Sequence, residues 1–372
     1  MKLRELHIKG FKSIDADAGQ RIPLGDVTVL LGANGAGKSN LVSFFKMLNF
    51  MTTGALGQYV AKYGANRLLF YGTKKTESMS FELTFKDDYN IDVDTYASAL
   101  FYGLPDKLFI AGEKITFRNI RRTEPKEYFL ESIQNESALK ADTRSTSQVI
   151  FSLLSGIRTY QFHDTSDTAK IKDRGYVDDA KYLRHDAGNL AAFLKMLKGH
   201  AHYVEYYERI VRHIQRVMPQ FGDFDLEPIP GNHDYVRLNW KDSSGSDYLF
   251  DPHQISDGSL RFMALATLLL QPPDLLPKFI VLDEPELGLH PAAIAELSSM
   301  VKIATQHTQV LLATQSTRLV DEFEPEELVI VERDEANHHS VFRTLPVEEL
   351  QDWLDNYSLS ELWEKNVLGG QP

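Results

Sequence analysis

The stretch Gly32-Ala33-Asn34-Gly35-Ala36-Gly37-Lys38-Ser39 constrains this chain more than any other. It fits G-x-x-x-x-G-K-S, a loop whose glycines let successive backbone N–H groups turn inward around phosphate oxygens. The pattern carries that meaning only between a strand and a helix. Val27-Thr28-Val29-Leu30-Leu31 before it is a short, apolar, partly β-branched run. Asn40-Leu41-Val42-Ser43-Phe44-Phe45-Lys46-Met47-Leu48 after it has apolar residues at helical spacing. In that setting the helix start adds a positive dipole end, Lys38 reaches the terminal phosphates, and the Ser39 hydroxyl binds Mg²⁺. Asn40 belongs to the same first turn. The expected ligand is a nucleoside triphosphate, ATP or GTP, with Mg²⁺.

The chain has 372 residues, room for two domains or one large bilobal one. Its apolar share of 43% and charged share of 25% are those of an ordinary globular protein. The lack of cysteine excludes disulfides, thiol catalysis and cysteine-ligated zinc, and suits a cytoplasmic location. Met1-Lys2-Leu3-Arg4-Glu5 alternates like a strand and lacks the long apolar core of a signal peptide. No apolar run approaches the ~18 residues of a membrane span. The longest, Phe262 to Leu270, stops at Gln271-Pro272-Pro273, so a membrane role would have to come through a partner. A net charge of −12 argues against a chain that simply coats nucleic acid, and leaves room for a local basic groove. The acidic run Asp321 to Glu327 reads as solvated surface, or as a face that repels DNA or docks a basic partner.

In chain order, strands are expected over 2–9 and 27–31, then at Met79–Phe85, Ile91–Tyr96 and Lys114–Asn119. Residues 121–148 are polar, with little periodicity, and read as an irregular mobile surface segment. Helical spacing returns at Asn189–Leu197 and at about 203–218. The second of these has an apolar stripe of Tyr207, Ile210, Val211, Ile214 and Met218. Its other side carries Arg209, Arg212, His213 and Arg216, either a solvated face or a row for a nucleic-acid backbone or partner. Val236–Trp240 reads as a strand, Gly258–Leu270 as a buried helix, Lys278–Asp283 as a strand and Pro291–Thr305 as a helix opened by proline. Gln309–Thr314 and Leu328–Glu332 are further strands. Alternating strands and helices imply a parallel, helix-covered sheet.

Phe279-Ile280-Val281-Leu282-Asp283-Glu284 is an apolar strand that ends in two carboxylates. Asp283 would bind Mg²⁺, directly or through water, and Glu284 would be the general base that orients the attacking water. Ile255-Ser256-Asp257-Gly258-Ser259-Leu260-Arg261 opens a helix with small and polar residues, whose backbone donors suit an anion.

The order and spacing of these segments resemble the ABC-type ATPases, in which the segment at Ser256, Asp257 and Gly258 is the signature motif, usually written LSGGQ. Asp257 and Ser259 depart from that wording. Leu3-Arg4-Glu5-Leu6-His7-Ile8-Lys9-Gly10-Phe11-Lys12-Ser13 resembles the N-terminal strand and FKS turn of RecF and SMC heads, which adds Lys12 and Ser13 to the nucleotide set. Glu286-Leu287-Gly288-Leu289-His290-Pro291 is similar to their D-loop, and Gln315 stands where most ABC proteins place the switch histidine. Gln161, in Tyr160-Gln161-Phe162-His163-Asp164, is either the Q-loop residue or an ordinary loop glutamine.

The resemblance, carried by about 1–50 and 250–345, is to stand-alone ATPases akin to RecF and to the ATPase half of OLD-type (overcoming lysogenization defect) nucleases. It implies an α/β fold: a bilobal ABC-type ATPase head, a P-loop NTPase with a β-rich first lobe and a helical middle. The expected segments are lobe I over 1–165, a helical connection over 166–255 and lobe II over 256–372, one discontinuous domain. The signature of one protomer would cap the γ-phosphate held by the other, giving a homodimer or higher even-numbered oligomer around ATP and Mg²⁺. Such proteins often act in antiphage operons with a separately encoded effector, a nuclease or toxin. DNA is a second candidate partner, through RecF-like repair, and the ATP subunit of a transporter is a third reading. No nuclease is expected on this chain: Leu328-Val329-Ile330-Val331-Glu332-Arg333-Asp334 has Arg333 where a Toprim strand has glycine, and no Asp-x-Asp pair follows. His338 and His339 lack a third zinc ligand. The aromatic segment Val347–Leu368 is expected to pack on the sheet edge or to dock an effector.

Overall fold

The computed structural model describes residues 1–121, 124–131, 136–229 and 231–371. Contacts divide it into two units: one of Met1–Arg158, Lys278–Val281 and Leu311–Pro372, the other of Thr159–Pro277 and Leu282–Val310.

In the first unit an antiparallel sheet runs in the order Gln20–Pro23, Lys2–Lys9, Ser78–Lys86, Asp92–Gly103, Lys107–Asn119, Lys126–Leu130. Strict alternation sets its faces, as the two-residue strand period requires. Met79, Phe81, Leu83 and Phe85 are buried, while the Ser80, Glu82 and Thr84 between them are not. A second sheet has the order Ser340–Thr344, Leu328–Arg333, Val27–Leu31, Gln309–Thr314, Phe279–Asp283, Ile157–Tyr160. Val27–Leu31 is parallel to Leu328–Arg333, and every residue of Val27–Leu31, Gln309–Thr314 and Phe279–Asp283 is buried. Such strands read as unbroken apolar runs because both of their faces are covered. The helix Lys38–Thr52 wedges its aromatic side into this core. Phe44 meets the edges of Phe11 and Phe81 at centroid distances of 5.7 and 5.4 Å, and Phe45 stacks on Phe279 at 5.1 Å. The helix thereby fixes where the phosphate loop ends.

In the second unit the helices Leu190–Gly199, Val204–Val217, Asp257–Leu270 and Pro291–Ala304 accompany two small antiparallel sheets. Leu260 and every residue from Phe262 to Leu270 are buried. The strand Phe279–Asp283 passes from the first unit into the second at Leu282.

Four local expectations change. The segment 121–148 holds a strand, Lys126–Leu130, a 3₁₀ turn, Ala138–Lys140, and the start of the helix Ser145–Ser155; its residues 122–123 and 132–135 lie outside the described ones. Pairing with Lys107–Asn119 and the burial of Leu130 and Leu139 order a stretch that has no periodicity of its own. Val236 and Trp240 belong to two strands in different sheets, Asn232–Val236 and Asn239–Asp242. His213 is buried rather than on the solvated basic face, with Nδ1 2.5 Å from the Glu296 carboxylate; burial outweighs that neighbour and holds the imidazole below its usual range. At the C-terminal end, Leu359, Leu362 and Trp363 are buried, while the helix Val347–Leu354 buries none of its residues and Trp353 stays exposed.

Asp94 points into the core side of the antiparallel sheet, 5% exposed, with Oδ1 lacking a partner among the described residues. Burial, helped by the neighbouring Asp92 charge, raises its pKa from the ordinary 3.8 to about 6. The folded protein therefore holds this proton more tightly than the unfolded chain. The stability it confers is present below about pH 4 and is lost as pH rises through about 6. Asp94→Asn should raise stability by roughly 1–3 kcal/mol at pH 7 and change it little at pH 4. Urea unfolding at the two pH values measures the difference; an equal effect at both would refute the assignment.

Candidate nucleotide site

The glycines of the phosphate loop are set by close approach as much as by turning. A Cβ on Gly32 would fall 2.2 Å from the Val331 carbonyl oxygen. Gly37 has φ +124°, and a Cβ there would lie 2.1 Å from Ser340 Oγ. That serine braces the loop: its hydroxyl donates to the Ala36 carbonyl and sits 2.7 Å from Ser13 Oγ, which also accepts from Asn40 Nδ2 at 2.7 Å. The FKS turn and the first helical turn are thus tied through one hydroxyl. Lys38 is 5% exposed and donates to the carbonyls of Gly32 and Ala33, while Ser39 is exposed at the helix start. Gly35 turns with φ +82°, and Asn34 is exposed beside it. Ala33 N–H donates to the Gly370 carbonyl at 3.0 Å, away from the inward-turned amides.

Lys12 stands at φ +48° and donates to Ser43 Oγ at 2.7 Å; burial lowers its pKa. With Ser13, Asn40, Arg67, Tyr71 and His338 it lines a cavity of about 410 Å³. This volume is within the range of small-ligand sites. It adjoins the phosphate loop at Ser13 and Asn40, and its cationic side chains suit a nucleotide's polar half.

The second unit assembles the carboxylates. Asp283 is 7% exposed, and its Oδ2 accepts from Gln161 Nε2 at 2.8 Å. Its Oδ1 is buried with no hydrogen-bond partner among the described residues. His163 Nε2 lies 2.8 Å from the Asp283 carbonyl oxygen. Buried carboxylate oxygens are normally satisfied, so Oδ1 is a donor atom suited to a cation. Glu284 follows with φ +46°. A left-handed backbone costs a non-glycine residue about 1–2 kcal/mol and is tolerated where the surroundings enforce it.

Arg261 joins the loops around this acid pair. Nε donates to the Phe162 carbonyl at 3.1 Å, Nη2 to the His163 carbonyl at 2.9 Å and to Thr165 Oγ1 at 3.2 Å, and Nη1 to the Leu287 carbonyl at 2.8 Å. One guanidinium from the helix Asp257–Leu270 therefore fixes both 162–165 and the loop after Glu284. The space left among Tyr160, Phe162, His163, Arg261 and Glu284 is about 10 Å³, at most one water. Gly258 approaches the same loop, since a Cβ there would meet the Gly288 carbonyl at 2.4 Å. Ser256 caps the helix by accepting from Ser259 N–H, and Asp257 is exposed beside it. Gln315, exposed, follows the strand Gln309–Thr314.

Sequence reading missed three residues of these constellations. Ser340 lies on a strand with no motif, and only its position opposite the loop reveals it. His163 and Arg261 fall inside quoted segments. An arginine directly after Ser-Asp-Gly-Ser-Leu, in an otherwise apolar buried helix, was the available signal.

The fold is that of an ABC-type P-loop ATPase head, as in SMC heads. A Smc head bound to the C-winged helix domain of ScpA superimposes with a TM-score of 0.55 at 15% identity, over 95% of this chain and 100% of that one. A Smc head with an extended coiled coil, bound to the C-terminal domain of ScpA derived from Pyrococcus furiosus, gives 0.55 at 14%, over 95% and 98%. Residues 27–321 match the family model described as AAA domain, putative AbiEii toxin, Type IV TA system, and the chain belongs to that family. No curated protein matches it. It is an ATPase of AAA/ABC type with an SMC-like head.

Arg261→Lys should lose most ATP turnover, by about 10-fold or more, because an ammonium cannot serve the four acceptors of a planar fork. Nucleotide binding at the phosphate loop should persist. Measured turnover and fluorescent-nucleotide affinity separate the two; unchanged turnover would show the guanidinium to be replaceable.

Proposed function

We propose that the protein is an ATP-driven switch that dimerises on ATP and, by hydrolysing it, gates a separately encoded effector, a nuclease or toxin, in antiphage defence. The observation that carries the catalytic part is Asp283, with one carboxylate oxygen on Gln161 and the other buried without a partner among the described residues. Asp283 and the Ser39 hydroxyl would hold Mg²⁺, which neutralises charge on the phosphate oxygens when bound. The loop amides and Lys38 grip the phosphates. Glu284 takes the proton of a water whose oxygen attacks the γ-phosphorus, and ADP leaves as the bridging bond breaks. Gln161, hydrogen-bonded to Asp283, orients that water, and Gln315 contacts the γ-phosphate as a neutral donor.

Ser256, Asp257 and Gly258 at the start of a helix would receive the γ-phosphate of a second copy. The description of the family as putative toxins of a type IV system supports an output that harms a cell, and the Smc heads in complex with ScpA support a protein partner. The RecF-like head also suits DNA repair, and DNA-stimulated turnover without any partner would favour that reading. The expected location is the cytoplasm; among the described residues no helix is long and apolar enough to cross a membrane.

Glu284→Gln should keep ATP binding and lose hydrolysis by about 10²-fold or more, as loss of a general base does. Lys38→Ala should weaken binding itself. Sedimentation of Glu284→Gln with ATP and Mg²⁺ should give a dimer or higher even-numbered assembly, and mixing Lys38→Ala with Ser256→Arg chains should restore part of the activity. Wild-type turnover in Glu284→Gln removes the base assignment, and a monomer at saturating ATP removes the dimer.

A further inference from the structure

The helix Val347–Leu354 sorts its residues onto two sides. At helical spacing Val347, Leu350, Trp353 and Leu354 share one side, and Glu348, Glu349 and Asp352 the other. Val347, Leu350 and Leu354 are half-buried, whereas Trp353 is 44% and Tyr357 38% exposed. Tyr357 N–H donates to the Trp353 carbonyl at 2.9 Å, so the turn runs on far enough to set the two rings side by side, centroids 5.8 Å apart. The other two tryptophans, Trp240 and Trp363, are buried. An indole and a phenol paired in solvent are the residue types that anchor protein interfaces.

Around these rings the charge has one sign. From Pro346 to Glu364 the chain contains no lysine or arginine. Among the described residues, Glu348, Glu349, Asp352 and Asp355 form no ion pair. The next helix, Leu359–Glu364, is tied to the start of the acidic run Asp321 to Glu327, because Ser360 N–H donates to Asp321 Oδ1 at 2.7 Å. The first cation is Lys365, whose ammonium lies 5.2 Å from the Tyr357 ring centroid, so this aromatic face already takes a cation.

These charges select the occupant. DNA and an anionic membrane are repelled, and a helix built for a membrane surface carries lysine or arginine on its polar face. A second copy brings the same net charge of −12. We propose that the helix Val347–Leu354, with Tyr357, is a docking surface for a basic segment of another protein, whose lysine or arginine side chains meet the carboxylates while an apolar side chain covers Trp353. This rests on the reading above that a separate protein is engaged, and supplies that protein's chemistry. It requires neither hydrolysis nor dimerisation.

The probe is a fluorescein-labelled peptide with lysine and leucine at helical spacing, titrated with the full chain and followed by anisotropy and by tryptophan emission. Binding should shift the emission to the blue through Trp353. Replacing the probe's lysines by glutamate, or its leucines by serine, should weaken binding at least ~10-fold. Trp353→Ser should do the same, while Trp353→Phe stays within about 3-fold of the parent. The triple variant Glu348→Gln, Glu349→Gln, Asp352→Asn should lose ~10-fold, whereas neutralising three exposed carboxylates elsewhere, Asp88→Asn, Glu205→Gln and Glu227→Gln, should change affinity less than ~2-fold. Lys365→Met, which frees the Tyr357 ring, should tighten binding by roughly 2–5-fold. The helix variants alter only exposed side chains, and unchanged nucleotide affinity confirms that they fold.

Probe binding that Trp353→Ser and the triple variant leave intact overturns the surface alone, because an effector could still dock elsewhere. Self-association without nucleotide that Trp353→Ser abolishes, or a blue shift on phosphatidylglycerol vesicles, overturns it in favour of a second copy or a membrane. Probe affinity that ATP and Mg²⁺ leave unchanged keeps the docking surface and counts against gating of the effector through it.

Discussion

One guanidinium holds the acid half of this molecule in register. Arg261 offers a fixed fork of donors, and the structure spends them on four oxygens from two loops, so neither loop can shift without breaking hydrogen bonds of this fork. The helix that carries it is buried along almost its whole length and cannot easily move to compensate. Gln161, His163, Asp283 and Glu284 consequently depend on a residue that touches none of their functional atoms. The same guanidinium ties the D-loop-like turn to the helix whose first residues face solvent.

The phosphate loop is held by a different device. Backbone approaches backbone or a small hydroxyl so closely at Gly32 and Gly37 that any side chain would collide. Ser340 then satisfies the Ala36 carbonyl and joins it to the FKS turn, giving the loop a brace that costs no flexibility in long side chains. Rigid amides suit a site whose chemistry is positioning, because donors already aimed need no reorganisation when charge develops. Strain is stored at Glu284, whose left-handed backbone turns the chain sharply after a fully buried strand.

Much of this was legible in the sequence because the motifs are local. Gly32 to Ser39 and Asp283-Glu284 each lie at the end of an apolar run, and the runs at 27–31, 279–283 and 309–314 have the strand lengths that their composition implies. The head-type α/β fold followed from order and spacing. The misses share a cause. Lys126–Leu130 is a strand because a neighbour offers it an edge, His213 is buried because Glu296 meets it across helices, and Ser340 matters because of what lies opposite. None of these is encoded in periodicity. The basic row at 209–216 is a related case: charge type was readable, but the pairing of Arg212 with Glu208 and of Arg216 with Glu296 was not.

Those pairings bear on how a chain of net charge −12 can take up a polyphosphate at all. Long-range attraction is absent, so affinity must come from a few cations placed at short range and shielded from salt. Lys38 is 5% exposed, and Lys12 is buried enough for its pKa to fall. Arg212 and Arg216 on the helix Val204–Val217 instead meet carboxylates of their own chain, where solvent screens the attraction to little net value. Positive charge beside the phosphate loop is therefore sequestered from solvent, while that of Arg212 and Arg216 is met by carboxylates. Two sequestered lysines beside the phosphate loop, Lys12 and Lys38, thus supply at short range the positive charge that the chain as a whole lacks.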